Sequence, residues 1–528
     1  MTDRNGNGDP DVSQAPETAP ARPRLGYRVT RSLFLRGMGV VYLIAFASFG
    51  SQAMGLIGSD GILPVADFLG RAAEQLGAER FWKLPTVFWL NASDAAIHLV
   101  CGLGCAAAVA LIAGLAPLPM MVILWIGYLS LASAGRAFTG YQWDALLLEA
   151  GLLAIFACPW ALRPRLAWPG EPSRLVVWLH RWLVFRLMFM SGAVKLASGD
   201  TTWREMTALA HHFETQPLPN VLGWWAHQAP DWFLVGATGG TLFLELIVPF
   251  CALGPRAMRL AGFFGLAGLQ VLILLTGSYG FFNLLTLLLC LWLLDDGRLL
   301  RLAPRRWAER TSAAEPSGTR ADRLRRGLAA APLAAVIALG SVYHLGNLVG
   351  RWIGDPVAWP SAITRPMGIL SPFRAVNSYG LFANMTTRRP EIVVQGSRDG
   401  RDWKTYRFAY KPGDPSRRPV QAAPHQPRLD WQMWFEALHA DRMRRSTPAA
   451  RPRPNPWFVR FLRQLLRDSE PVTGMLRHNP FPDKPPRYIR AVLHDYRCAD
   501  PQTLSATGAW WRREAQSAYV PAIRLRDQ

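Results

Sequence analysis

Apolar residues crowd the chain between Gly37 and Val349 in long uncharged runs. After Arg351 the sequence turns polar, rich in Arg and Pro, with no run long enough to cross a bilayer. A spanning helix needs about 20 apolar residues. Nine runs approach that length: Gly37–Ile57, Ala95–Leu115, Pro119–Ala134, Ala145–Leu162, Leu175–Leu196, Trp232–Leu253, Leu260–Thr276, Phe281–Leu294 and Leu328–Val349. The pattern predicts an α-helical polytopic membrane protein of about nine transmembrane helices with a C-terminal soluble α+β domain. The runs starting at Pro119, Leu260 and Phe281 are short, so the expected count spans eight to ten.

The polar part carries two other periods. Glu391–Gln395 and Thr405–Tyr410 flank Ser397-Arg398-Asp399-Gly400, with Tyr406, Phe408 and Tyr410 alternating, which reads as a β-hairpin. Trp431, Trp434, Phe435 and Leu438 fall at i, i+3, i+4 and i+7, an amphipathic helix. Asn455-Pro456 reads as N-cap and first residue of another helix, with Phe458, Phe461, Leu462, Leu465 and Leu466 on one side. Tyr488–Tyr496 alternates again and is expected to be a returning strand.

Charge orients the spans. The chain of 528 residues has a net charge of +21, gathered in loops beside apolar runs and across the tail. That distribution suits a membrane surface and membrane lipids; no run reads as a nucleic-acid motif, so no nucleic-acid partner is expected. With the N-terminus inside, the inner loops collect Arg31, Arg36, Arg163, Arg165, Arg174, Arg256 and Arg259, and the densest cluster, from Arg298 to Arg326. The outer turns 135–142 and 277–280 carry only Arg136. Short cytoplasmic loops collect Lys and Arg, whereas long domains translocate largely regardless of charge. The expected organisation is a disordered cytoplasmic tail (1–30) and a helical bundle (31–350). The bundle has outer loops at 58–94 and 197–231 and a basic cytoplasmic linker at 295–327; an extracytoplasmic domain (351–528) follows. Five of six cysteines lie in apolar runs, which leaves Cys498 without a disulfide partner in the tail. Cys101 and Cys105 read as small helix-packing residues.

Four segments resemble lipase maturation factors: Tyr141-Gln142-Trp143-Asp144 with Leu146-Leu147-Leu148-Glu149; Trp203-Arg204-Glu205 through His211-His212-Phe213-Glu214 to Asn220; Asn377-Ser378-Tyr379-Gly380-Leu381-Phe382; and Ala423-Pro424-His425 through Asp430-Trp431 to Phe435. The resemblance runs from about the first span to Tyr496. It implies a protein of the endoplasmic reticulum membrane, or of the cytoplasmic membrane in a bacterial relative, that helps secreted lipases fold and assemble and for which no chemical reaction is established. The Ala/Arg/Pro-rich composition suits a bacterium of high GC content.

Candidate site residues follow. A charge inside a membrane is costly and marks function or a partner; Arg186 is placed to pair with Glu245 or Glu149. If the protein were an intramembrane enzyme acting on a protein or lipid at the outer face, Asp144, Glu149, His211, His212 and Glu214 would carry the chemistry. His425, Arg428, Asp430, Trp431, Trp434 and Phe435 are expected to bind a secreted, lipase-like client. A lipase serine in G-x-S-x-G is missing from the sequence. His211 and Glu214, at i and i+3, lack a second ligand cluster, so neither metal nor cofactor is expected.

Overall fold

The computed structural model describes residues 26–163, 168–302, 320–446 and 453–525. Residues 1–25 of the expected tail (1–30) and 303–319 of the expected linker (295–327) lie outside these residues, and Arg28–Thr30 are helical. Nine apolar helices form the bundle among the described residues: α1 (Arg28–Gly50), α2 (Asp94–Ala113), α3 (Pro117–Ala134), α4 (Gln142–Ala157) and α5 (Arg174–Ala197). After two short loop helices, α6 (Ala208–Thr215) and α7 (Val221–His227), come α8 (Asp231–Leu246), α9 (Arg256–Thr276), α10 (Phe282–Cys290) and α11 (Arg320–Ile353).

Seven of the nine are long and apolar enough to cross a membrane on their own; α4 and α10 are not. The runs at Pro119 and Leu260, which look short in the sequence, belong to full-length helices that start earlier, at Pro117 and Arg256. The fourth run is the one that falls short: Cys158 is extended, because the following Pro159 disfavours helical backbone at the residue before it. α4 and α10 are also the most enclosed, with Trp143 to Gly151 buried without a break on α4. Around them the helices approach closely at small residues. A side chain on Gly104 would lie 2.4 Å from the Phe46 ring, and one on Gly151 would lie 2.1 Å from the Tyr42 hydroxyl. Cys101 is buried facing Gly50.

α1 begins nine residues before the expected Gly37, and its start is held from far along the chain. The first N–H groups of a helix have no partner of their own. Here Arg28, Val29 and Thr30 donate theirs to the Asp296 carboxylate, at 2.8–3.1 Å. On the same face Arg31 donates to the Trp168 carbonyl (2.8 Å), and Arg256 makes a two-point pair with Asp295. The turns at 135–141 and 277–281, the loop helices α6 and α7, and the C-terminal domain occupy the opposite face.

That domain is a four-stranded antiparallel sheet, order β2-β1-β3-β4, from β1 (Arg389–Ser397), β2 (Lys404–Thr405), β3 (Tyr488–Cys498) and β4 (Trp511–Ile523). The helices α12 (Arg428–Ser446) and α13 (Pro456–Leu466) pack on it. Phe458, Phe461 and Leu462 meet Ile392, Val394, Phe408 and Leu493 in its core. Asn455 stands at the N-cap of α13, but its side chain does not cap; it donates to Glu436 (2.8 Å). One hydrophobic cluster runs without interruption from Phe34 in α1 to Val520 in β4, so bundle and domain share a core.

Candidate functional site

The segments singled out in the sequence converge where the C-terminal domain meets the bundle. Asp144 lies in the first turn of α4, where a carboxylate is favoured by the helix dipole. Arg428 opens α12, and its guanidinium grips Asp144 with two bonds (2.8 and 3.0 Å). It also donates to the Phe138 carbonyl and to the Tyr128 hydroxyl, and Tyr128 in turn donates to Asp144. Both charged side chains are about 1% exposed. The planar fork of arginine suits this two-point grip; a lysine would supply only one charged point.

The approach to Arg428 is threaded through the end of α1. Gln426 N–H donates to Ser48 (2.9 Å), Arg428 N–H to Gln52 (2.8 Å), and Gln52 to the Gln426 carbonyl (2.9 Å). His425 Nδ1 also meets Ser48 Oγ at 2.9 Å. Trp431 sits edge-on to Trp143, ring centroids 4.7 Å apart, and Tyr141 stacks on Trp143.

Glu149, deeper on α4, pairs with Arg186 of α5, both fully buried. Its other oxygen accepts from the Asn377 N–H (2.9 Å), the Asn377 amide (3.0 Å) and the Tyr379 hydroxyl (2.7 Å). Arg186 donates to the Asn377 carbonyl at 3.2 Å. A charge pair inside the bundle is thus completed by the domain beyond it. Glu245 does not reach Arg186; it accepts from Lys195 at 2.6 Å. Lys195 also lies over the Trp203 ring, whose N–H donates to the Phe382 carbonyl.

A third set of contacts binds the loop 211–220. Arg389 of β1 donates to the carbonyls of Glu214, Gln216 and Pro217 and pairs with Glu391, which also binds Lys411. Trp434 donates to the Thr215 carbonyl at 3.0 Å. His212 meets the Tyr279 hydroxyl at 3.0 Å, and burial pushes its imidazole down to about 4. Next to the joint, Tyr141, Gln142, Ala145, His344, Met367 and Asn377 line a cavity of about 490 Å³.

The four segments lie together, but not as a surface for a client. Arg428, Asp430, Trp431 and Trp434 are buried, at 1%, 3%, 3% and 7% exposure, and His425 is bonded to α1. These residues, expected from the sequence to meet a client, dock the domain onto the bundle. Asp430 accepts the N–H groups of Tyr410 and Lys411, and its burial raises the carboxyl above its usual range. Of the six, only Phe435 is well exposed, at 41%. Among the catalytic candidates, Asp144 and Glu149 are fully engaged by arginines, and His212 meets the Tyr279 hydroxyl. Glu214 instead meets His227 and Cys498, with donor atoms all within 4.8 Å of one another.

Comparison with known families divides the chain into the same two parts. Residues 29–301 match the lipase maturation factor transmembrane domain, and residues 375–521 match the lipase maturation factor C-terminal domain. The chain is 34% identical over 599 residues to lipase maturation factor 2 of Gallus gallus, covering 95% of this chain and 82% of that protein. It belongs to the lipase maturation factor family. It is also 33% identical to lipase maturation factor 1 of Bos taurus (99% of this chain, 95% of that protein) and 32% identical to lipase maturation factor 1 of Homo sapiens (98% and 92%). No solved structure matches the chain. The residues that sequence reasoning missed are the partners. Tyr128 and Lys195 lie inside apolar runs, and Asn377 and Tyr379 stand in a recognised segment with no acid or base to flag them.

Proposed function

We propose that this chain is a membrane-embedded factor that assists the folding or assembly of a secreted lipase or related secreted client. The observation that carries this reading is the match along both halves of the chain to proteins named lipase maturation factor, across the joint where those halves meet. The client is met on the face that bears the C-terminal domain. Loop charge makes that face extracytoplasmic, the periplasmic side in a bacterial cytoplasmic membrane or the lumenal side in an endoplasmic reticulum membrane, with the N-terminus inside. Client contact falls to the basic side of α13, where exposed Arg463 and Arg467 stand beside a cleft of about 660 Å³.

The rival reading, an intramembrane enzyme, is the weaker one. Its two best acids, Asp144 and Glu149, are each neutralised by a buried arginine, whereas a general acid or base must be able to exchange a proton with substrate. The test is the specific activity of a secreted lipase, per molecule of lipase, in a deletion strain with and without this chain. The reading requires that activity fall more than lipase abundance; equal activity per molecule in both strains contradicts it. A periplasmic reporter fused after Gln528 should be active, and one fused near Arg310 silent.

A further inference from the structure

Glu214, His227 and Cys498 come from three separate parts of the chain: the end of α6, the end of α7 and the end of β3. One carboxylate oxygen, one ring nitrogen and the thiol lie within 4.8 Å of one another. We propose that these three side chains form a zinc-binding site that clips the loop helices of the bundle to the sheet of the C-terminal domain.

The imidazole supports this independently of the spacing. His227 bonds through its ring to the backbone of Ala210, while Nδ1 is buried with no partner among the described residues. That assigns the ring proton to Nε2, donating to a carbonyl, and leaves Nδ1 with a free lone pair to offer a metal. A metal-ligating histidine has this arrangement, its second nitrogen anchored to fix tautomer and ring direction. The carboxylate is oriented too: Glu214 accepts the Cys498 N–H (2.7 Å) and is touched by the half-exposed Arg497 (3.2 Å). A carboxylate retains lone pairs beyond these bonds.

The donor set selects the metal. A thiolate excludes magnesium and calcium, and a mixture of sulfur, nitrogen and oxygen suits zinc. Tetrahedral zinc places its donors about 3.5 Å apart, so side-chain rotation of roughly 1 Å closes the site. Three protein ligands leave a fourth position for water or a client group. The surrounding backbone is already fixed across the two halves, with Trp224 donating to the Trp510 carbonyl (3.0 Å) and Gln228 to the Ala499 carbonyl (3.3 Å).

Full-length protein in detergent, stripped with a chelator, is titrated with Co²⁺ and then with Zn²⁺. The proposal expects one equivalent of cobalt, with a thiolate-to-cobalt charge-transfer band and tetrahedral d–d bands, displaced by zinc. Cys498→Ser should abolish the charge-transfer band, and His227→Ala should weaken binding at least tenfold. Absence of a thiolate band in the wild type, or its persistence in Cys498→Ser, would overturn the site. Should that variant not fold, mass-spectrometric mapping of alkylated wild-type thiols decides the matter. Zinc must protect Cys498 and a chelator must restore its labelling; labelling indifferent to zinc overturns the proposal.

Discussion

The two sides of the C-terminal domain handle charge in opposite ways. The side that meets α4 and the 211–220 loop buries Arg389, Arg428, Asp430 and Glu391 and gives each several partners, whereas the edge at α13, across a cleft from the 59–67 loop, leaves Arg463 and Arg467 in solvent. A buried charge is tolerated only when paired and hydrogen-bonded, and an exposed one contributes little to stability. The contrast teaches that the most recognisable segments of the family mark the joint, where substitutions are structurally expensive. The client contact proposed for α13 falls on the exposed, more permissive edge.

Arg428→Met breaks the joint most severely, because it strands Asp144 in a buried site. Removal of one partner from such a pair costs about 3–5 kcal/mol. Thermal unfolding in detergent should show that loss; an unchanged melting temperature would place the joint's strength elsewhere.

Glu149→Gln keeps the shape and one acceptor but removes the charge facing Arg186. A hydrogen bond to a charged group contributes about 1.5–3 kcal/mol, and the loss should be of that order. The variant should also loosen residues 377–379, read as faster amide exchange there than in β3.

A smaller effect follows from His212. Its ordinary value of 6.5 applies to the unfolded chain, while burial holds the folded imidazole down to about 4. Between those values the unfolded state binds a proton that the folded state does not. Stability therefore falls as pH drops from about 6.5 toward 4, and is fully present above 6.5. His212→Gln should flatten that part of the stability profile; an identical slope in both proteins would show that the imidazole is protonated when folded.

At the exposed edge of α13, Arg463→Ala should shift stability by no more than about 0.5 kcal/mol. If lipase activity per molecule nevertheless falls, the separation of joint from client surface is sharpened. A large stability loss would erase it.

Much of the fold is legible in the sequence, because each span and each amphipathic helix announces itself by period. The stripe at Trp431, Trp434 and Leu438 marks α12, but periodicity shows only that one face is covered, not by what. Its cover is the bundle itself, contributed by Tyr141, Trp143 and the 211–220 loop. β4 escapes because its pairing with β3 slips at several points, and register shifts disrupt the alternation that reveals a strand. Arg186 and Glu149 stand out as charges in apolar runs, yet depth alone does not choose between Glu149 and Glu245. That choice is made by Lys195, close enough to its helix end to read as a boundary residue. His227 and Cys498, 271 positions apart, have no spacing to betray them.

The central claim is that the shared segments hold the two halves together. Residues 355–358 are exposed between α11 and the domain, and a protease site inserted there allows the folded protein to be cut in detergent. The account predicts that the cut wild-type halves still elute together from a sizing column. Halves carrying Arg428→Glu, which sets two carboxylates against each other at Asp144, should separate. Wild-type halves that part on cutting, or Arg428→Glu halves that stay joined, would contradict it.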